Sequence, residues 1–186
     1  GLPVTSFDSY ALQNCSKLVK IVLPDTVEKI GVCAFANCYK LASINLPDSV
    51  TYIGNGAFKS CSYLTSITIP DGVTRIVVGA FQGCSRLTSI VIPRGVDTIC
   101  QDTFRACTNL TSVKFLGNIE KIGDYAFYGC DNLANVICLS QEPPILEKEV
   151  FPYPNAATLQ VPRGSLERYK ASDWNKYFSR IEEIDD

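Results

Sequence analysis

Hydrophobic and polar positions repeat along this chain with a fixed period, the interval that separates Cys15 from Cys38. Each repeat carries an aromatic residue or Leu, followed three positions later by a Cys and three positions after that by a Leu. Apolar residues that we expect to point into the core follow six and eight positions after the Cys. Val or Ile returns twelve and fifteen positions after each Cys. A period of this length, kept without insertion, predicts a solenoid of stacked coils. The cysteine column consists of Cys15, Cys38, Cys61, Cys84, Cys107 and Cys130.

One coil shows which elements the pattern predicts. Residues 65–69 alternate between polar and apolar side chains, which indicates a half-buried strand. Pro70 ends this strand because proline cannot donate a ladder hydrogen bond, and Asp71-Gly72 is typical of a turn. Val73 and Ile76 then return to the core from a second, shorter extended segment. The residues that lead to the next Phe are interpreted as a single helical turn.

The motif Leu64-x-x-Ile67-x-Ile69 is similar to the L-x-x-L-x-L core of leucine-rich repeats. The fuller pattern, C-x-x-L-x-x-I-x-I-P-x-x-V-x-x-I-G-x-x-A-F, resembles the BspA-like subclass of bacterial cell-surface repeats over about residues 4–162. It differs from ordinary leucine-rich repeats because it lacks the asparagine ladder and places Phe and Cys on the convex side. The resemblance implies an α/β solenoid. This would be a right-handed leucine-rich-repeat superhelix with one parallel sheet on the concave face, and short extended segments and helical turns on the convex side.

The two ends of the chain differ from the regular coils. We expect residues 1–138 to form the solenoid, which opens in mid-repeat, and residues 139–186 to form a divergent last repeat with a C-terminal helical cap. Glu142 falls on a core Val column, and a proline-rich loop follows it between residues 143 and 154. Leu159 and Val161 return to the two Ile columns, which predicts a seventh strand.

The C-terminal segment is predicted to cover the last coil. Ser165 can cap a helix over residues 166–171, and an amphipathic stretch follows through Ile181. Trp174 is interpreted as part of the seal, with a binding hot spot as the alternative. The block that begins at Val161 also resembles the C-terminal end of gut Bacteroides proteins of this subclass.

At the other end, Val4 and Phe7 fall on the Val and Ile columns of a repeat whose strand would precede Gly1. We therefore expect an uncovered strand edge at residues 19–23, which would allow end-to-end self-association. The chain contains no Met, so we interpret it as part of a longer protein whose signal segment lies elsewhere.

Composition narrows the classes of function. The 186 residues carry a net charge of −2 with only 19% charged residues and no run of Lys or Arg, so we do not expect a nucleic-acid partner. No apolar stretch is long enough to predict a membrane span. The chain has no His, which removes the commonest general base and any Cys–His nucleophile. We therefore predict no catalytic residues and no enzyme activity.

Nine cysteines raise the question of zinc or disulfides. Zinc sites need paired cysteines at short spacing, and Cys33 and Cys38 have no matching second pair. The repeat column instead predicts buried, reduced thiols among Phe and Leu. Stacked carboxylates at Asp25, Asp48 and Asp71 are a weak alternative for calcium. We expect neither a metal nor a cofactor.

The face left for binding is the outer face of the predicted sheet, where alternation points small polar side chains away from the core. The resemblance implies an exported protein at the bacterial cell surface that takes part in adhesion and protein binding. Our first hypothesis is a non-enzymatic module that binds a protein or glycan there. The alternative function is a structural spacer within a larger exported protein. The alternative interpretation of the outer face is that it is only solvated and binds nothing. The predicted binding residues are Ser43, Asn45, Ser66, Thr68, Ser89, Val91, Ser112 and Lys114.

Overall fold

The computed structural model describes residues 3–152 and 156–184. Tyr153 and Pro154 of the predicted proline-rich loop lie outside the described residues. The elements in chain order are β1 (Ser6–Phe7), β2 (Lys20–Val22), β3 (Lys29–Ile30), β4 (Ser43–Asn45), β5 (Tyr52–Ile53), β6 (Arg75–Ile76), β7 (Ser89–Ile92), β8 (Thr98–Ile99), β9 (Ser112–Phe115), β10 (Lys121–Ile122), β11 (Asn135–Cys138), β12 (Ile145–Leu146), β13 (Thr158–Val161), α1 (Leu166–Lys170), α2 (Trp174–Tyr177) and β14 (Arg180–Glu183).

The longer strands form a parallel ladder in which equivalent residues of successive coils pair. Ile21 pairs with Ile44, and Ile90 pairs with Val113, so the period of the sequence is also the register of the sheet. Strand β2 pairs with β4, while β7, β9, β11, β13 and β14 form a five-stranded sheet. Between these two sets, residues 65–69 keep the predicted alternation, with Ile67 and Ile69 buried, but are not assigned as a strand. The predicted sheet is therefore present and interrupted at this coil.

The short extended segments form a second parallel ladder. Strands β1, β3, β5 and β6 pair in one set, and β8, β10 and β12 pair in another. Ile53 lies between Ile30 and Ile76 in this ladder, and all three side chains are buried. The sequence predicted the segments but not their pairing, because a two-residue strand is too short to show an alternating pattern.

A third set of hydrogen bonds joins the turns that contain the Phe column. The backbone N of Phe35 donates to the carbonyl O of Ala57 at 2.8 Å, and the N of Phe58 donates to the O of Ala80 at 2.8 Å. In the turns each coil thus donates to the following coil, whereas in the strand ladder the N of Ala42 donates back to the O of Val19 at 3.0 Å. Neighbouring coils are therefore bonded in both directions.

Each turn also holds a residue with positive φ directly before the cysteine. This backbone conformation favours Gly and tolerates Asn, which accounts for four of the six residues in the column but not for Ser60 and Ala106. In the segment where the sequence predicts a single helical turn, the N of Ala80 donates to the O of Val77 at 3.1 Å, and residues 78–80 form a turn without helix. With φ between 59° and 76°, the residues in this column are Asn14, Asn37, Ser60, Gly83, Ala106 and Gly129.

The phenylalanines stack as a continuous column through the core. The ring centroids of Phe35 and Phe58 lie 5.3 Å apart with an interplanar angle of 0°, and those of Phe58 and Phe81 lie 5.4 Å apart at 5°. Phe7 extends the column at one end and Phe151 at the other. One aromatic position per coil is thus sufficient to build an uninterrupted apolar core.

The cysteine column lies beside this stack and is free of disulfides, as predicted. Five of its six members are buried and Cys15 is half-buried. The Sγ of Cys61 donates to the carbonyl O of Phe35 at 3.2 Å, and the Sγ of Cys84 donates to that of Phe58 at 3.2 Å. The five buried thiols of the column each add such a hydrogen bond to the preceding coil, a partner that the sequence did not reveal.

Glu142, which falls on a core Val column of the repeat, lies at the surface. Its side chain is 75% exposed and forms an ion pair with Arg168 at 3.3 Å. The cause is one additional residue in the last coil. Leu146 pairs with Ile122, and the two residues are separated in the chain by one position more than the repeat period. The normal period returns where Val136 pairs with Leu159 in β13. The extra residue moves the carboxylate out of the core while the strand register is kept.

The C-terminal segment covers the last coil through two buried aromatic residues. Trp174 is fully buried, and its Nε1 donates to the carbonyl O of Pro144 at 2.9 Å. Tyr169 is also fully buried, and its hydroxyl donates to the carbonyl O of Ser140 at 2.9 Å. The structure therefore places Trp174 in the seal rather than on a binding surface.

Two details of the predicted cap differ in the structure. Ser165 occupies the N-cap position of α1, but its hydroxyl donates to the carbonyl O of Pro162 and does not cap the helix. The segment after α2 is a strand, β14, where a helical cap was expected. Leu159 in β13 pairs with Ile181 in β14, because the outer edge of β13 presents backbone groups that a parallel neighbour satisfies.

Candidate binding surface on the strand face

The outward side chains of the longer strands form one surface, which we call the strand face. Alternation along each strand buries every second residue, so two outward positions per coil stay free of packing. The first row contains Lys20, Ser43, Ser66, Ser89, Ser112, Asn135 and Thr158. The second row contains Val22, Asn45, Thr68, Val91, Lys114, Ile137 and Gln160.

All eight predicted binding residues lie on the strand face. Ser112 and Lys114 are half-buried and the other six are exposed. Val91 is an apolar side chain with 47% of its surface exposed, and it lies in the middle of the second row. The prediction of where these side chains point is therefore in agreement with the structure, although a ligand contact is a separate question.

The register brings the predicted residues into direct contact distance across coils. Ser89 pairs with Ser112, and Val91 pairs with Lys114, in the five-stranded sheet. Neighbouring strands are separated by about 4.8 Å, so one side-chain position repeats at that interval along the face. Ser66 and Thr68 lie at the interruption of the sheet, between the paired strands β4 and β7.

The C-terminal end of the strand face contains charged and amide side chains that the sequence did not suggest. The Nε2 of Gln160 donates to the Oε1 of Glu182 at 3.1 Å, and the Nε of Arg180 donates to the Oε2 of Glu182 at 2.9 Å. Gln160 could have been found, since it lies one period after Ile137. Arg180 and Glu182 follow one position short of a full period, outside the repeat pattern, so the period could not have identified them.

The coil described above matches a known family along most of the chain. The family described as BspA type leucine rich repeat region, with six copies, matches residues 5–134 and 78–172. This chain belongs to the BspA-type leucine-rich-repeat family. No curated protein matches the chain.

Solved structures of other BspA-type or leucine-rich-repeat proteins show the same architecture. The leucine-rich repeat protein TpLRR of T. pallidum is 34% identical, with a TM-score of 0.70 over 78% of this chain and 72% of that chain. A leucine-rich cell surface protein of Faecalibacterium prausnitzii is 22% identical, with a TM-score of 0.58 over 97% of this chain and 61% of that chain. The pneumococcal vaccine antigen PcpA is 20% identical, with a TM-score of 0.60 over 98% of this chain and 42% of that chain. The last two similarities show the fold, and this chain spans less than two thirds of either protein.

BspA-type repeats and their fold are typically non-enzymatic. Over residues 3–152 and 156–184, no three side chains of His, Cys, Asp or Glu come together in a way that could hold a metal ion. Asp25, Asp48 and Asp71 lie exposed in the turns that follow the long strands. In the same described ranges, no helix has the length and apolar character needed to cross a bilayer.

Proposed function

We propose that this chain is a non-enzymatic binding module of a bacterial cell-surface protein and that it contacts a protein or glycan ligand through the strand face. The observation that carries this proposal is the pair of outward rows, which no packing requirement of the solenoid fixes. Family membership supports it. Two structural neighbours, a leucine-rich cell surface protein and a vaccine antigen, favour an extracellular location.

The strand face suits a ligand because its side chains are held in register by the backbone ladder. Val91, Lys114 and Ile137 occupy equivalent positions of consecutive paired strands, so their side chains repeat at about 4.8 Å. A rigid sheet loses little conformational entropy when a ligand binds to it, since the backbone is already ordered.

A structural spacer is the second candidate, and one observation favours it. The two rows of the strand face contain no aromatic side chain, whereas Trp and Tyr are the usual anchors of tight protein interfaces. A spacer would need only a stable solenoid, which the three sets of inter-coil hydrogen bonds supply.

The two candidates are separated by substitutions that change the strand face without changing the core. A screen of host proteins and glycans first provides a ligand. The test variant is Thr68→Arg with Val91→Glu, and the control is Asp48→Ser with Arg94→Ser in the turns. Both pairs leave the net charge unchanged. We expect the test variant to lose binding and to keep the melting temperature of the unsubstituted chain, since both positions are exposed.

The proposed surface is wrong if the strand-face variant binds the ligand normally while the turn variant no longer binds it. If the screen finds no ligand for the intact chain, the spacer is the better interpretation.

A further inference from the structure

Positive charge is concentrated on one part of each coil in the N-terminal two thirds of the chain. The part in question begins at the Phe column and ends with the first inward residue of the long strand. Across five coils it contains six Lys or Arg residues and no Asp or Glu. The five stretches are residues 12–21, 35–44, 58–67, 81–90 and 104–113. The carboxylates of the same coils lie outside these stretches, at Asp25, Glu28, Asp48, Asp71, Asp97 and Asp102.

We call five of these cations the basic edge: Lys17, Lys20, Lys40, Lys59 and Arg86. Lys20 is also the first member of the first row of the strand face, and Lys59 lies in the turn directly after Phe58. All five are exposed, and among the described residues none forms an ion pair. Arg105, the sixth cation, differs because it pairs with Asp102 at 3.2 Å. The charge of the basic edge is therefore available to a partner.

The register of the solenoid brings the basic edge together. Lys17, Lys40 and Arg86 occupy the same position in the first, second and fourth coils, two residues after the column cysteine. Tyr63 takes this position in the third coil, and the guanidinium carbon of Arg86 lies 3.8 Å from the centroid of its ring. Cations dispersed along the sequence thus become a strip parallel to the axis of the stack.

Two exposed aromatic rings lie within the strip. Tyr39 is 47% exposed and Tyr63 is 43% exposed. The backbone N of Tyr63 donates to the carbonyl O of Tyr39 at 3.1 Å, so the two residues belong to directly adjacent coils. Exposed rings of this kind offer flat apolar faces beside cations, a combination that the rows of the strand face lack.

We infer that the basic edge binds a linear anionic glycan, with acidic groups on the cations and sugar rings on the tyrosines. This inference rests on the proposed function as a binding module and names the ligand class. Charge complementarity carries it, because the strip has unpaired cations and no carboxylate. The regular coil spacing suits a polymer with regularly repeated acidic groups. Nucleic acid is the competing anionic polymer, and an oligonucleotide is therefore measured beside the glycan in the test.

The test uses a size-defined heparin oligosaccharide as the probe and measures its affinity calorimetrically at low and high salt. The test variant is Lys40→Glu with Arg86→Glu. The matched control is Lys29→Glu with Arg75→Glu, which makes the same change in net charge at two exposed cations of the second ladder. We expect affinity to fall roughly tenfold or more in the test variant and to change little in the control.

A second variant separates ring contacts from charge. Tyr39→Ala leaves every cation in place, and we expect it to weaken heparin binding several-fold. An oligonucleotide and a polyglutamate peptide of equal charge are measured in parallel. We expect both to bind more weakly than heparin.

Four results overturn the inference: no heparin binding by the intact chain, equal losses in the test and control variants, unchanged affinity in Tyr39→Ala, or equal affinity for the peptide or oligonucleotide. Each of these leaves the strand-face proposal open to its own test, because the pair Thr68→Arg and Val91→Glu changes none of the residues of the basic edge.

Discussion

Cys100 and Val77 occupy equivalent positions in adjacent coils, and the second ladder is broken between these two coils. The N of Val77 donates to the O of Ile53 at 3.0 Å, and the N of Gly123 donates to the O of Ile99 at 2.8 Å. Among the described residues, the equivalent bond from the N of Cys100 to the O of Ile76 is missing. A cleft of about 450 Å³ lies at this break and is lined by both strands.

The side chains at this position explain the break. An added Cβ on Gly54 would lie 2.8 Å from the carbonyl C of Gly31, and one on Gly123 would lie 2.7 Å from the N of Gln101. Close approach of neighbouring coils therefore requires a glycine on at least one side. Val77 and Cys100 both carry a Cβ, so their coils remain apart at this level.

Cys100→Gly should restore the missing hydrogen bond and narrow the cleft. Glycine in an extended segment costs about 0.5–1 kcal/mol in chain entropy, which offsets the gain, so we expect little change in the free energy of unfolding. The clear signal is slower amide exchange at the substituted residue. Val78→Gly serves as a control, because it has the same entropic cost at a position outside this column. Equal exchange rates at residue 100 before and after substitution would contradict the explanation.

Phe58→Ala should be among the most destabilising substitutions in the chain. Phe58 is fully buried and stacks on Phe35 and Phe81, so the change removes two ring contacts and leaves a cavity. We expect a loss of about 3–5 kcal/mol, measured by urea unfolding. Phe7→Ala is the comparison, since Phe7 is half-buried and stacks on Phe35 alone. If Phe7→Ala lowers the free energy of unfolding as much as Phe58→Ala does, a ring in the middle of the stack contributes no more to stability than a ring at its end.

Alkaline pH should destabilise the folded chain through the cysteine column. Burial, with a smaller effect of the neighbouring Cys15, raises the pKa of Cys38 from 9.0 to about 11, and burial also raises the pKa of Cys61. Between these values the unfolded chain loses protons that the folded chain keeps, so the free energy of unfolding falls as pH rises above about 9. Cys61→Ala should make this fall less steep, as measured by denaturation at a series of pH values.

The same burial predicts slow chemical labelling of the column. Cys38, Cys61 and Cys84 should react with a thiol reagent only as the chain opens, whereas the half-buried Cys33 and Cys100 should react first. Rapid modification of all nine thiols in the native state would refute the buried column.

Strand β2 should exchange its amide hydrogens faster than the strands in the middle of the stack. Among the described residues it pairs with β4 alone, and Val22 at its end is 78% exposed. The open edge also predicts concentration-dependent association of this chain, which sedimentation can measure. Val22→Lys should suppress association without lowering the melting temperature. Uniform protection from β2 to β9 would mean that residues 3–10 close this end.

The period, the inward columns and the direction of each side chain on the strand face could all be derived from the amino-acid sequence. This was possible because a buried column tolerates few residue types, and Phe81, Cys84 and Leu87 return one period after Phe58, Cys61 and Leu64. Strand β13 was also placed correctly, since Leu159 and Val161 keep the phase of the repeat. The eight predicted binding residues follow from the same alternation.

Contacts between coils could be learned only from the folded chain, because they depend on backbone distances that side-chain periodicity does not encode. The second ladder, the thiol bond from Cys84 to Phe58 and the shift that exposes Glu142 are of this kind. Strand β14 was not predicted either, because an amphipathic segment can form a helix or a strand. The outer edge of β13 presents unpaired backbone groups, and a parallel strand supplies their hydrogen-bond partners. Lys17, Lys40 and Arg86 are far apart in the chain and form one surface only because the coils stack in register.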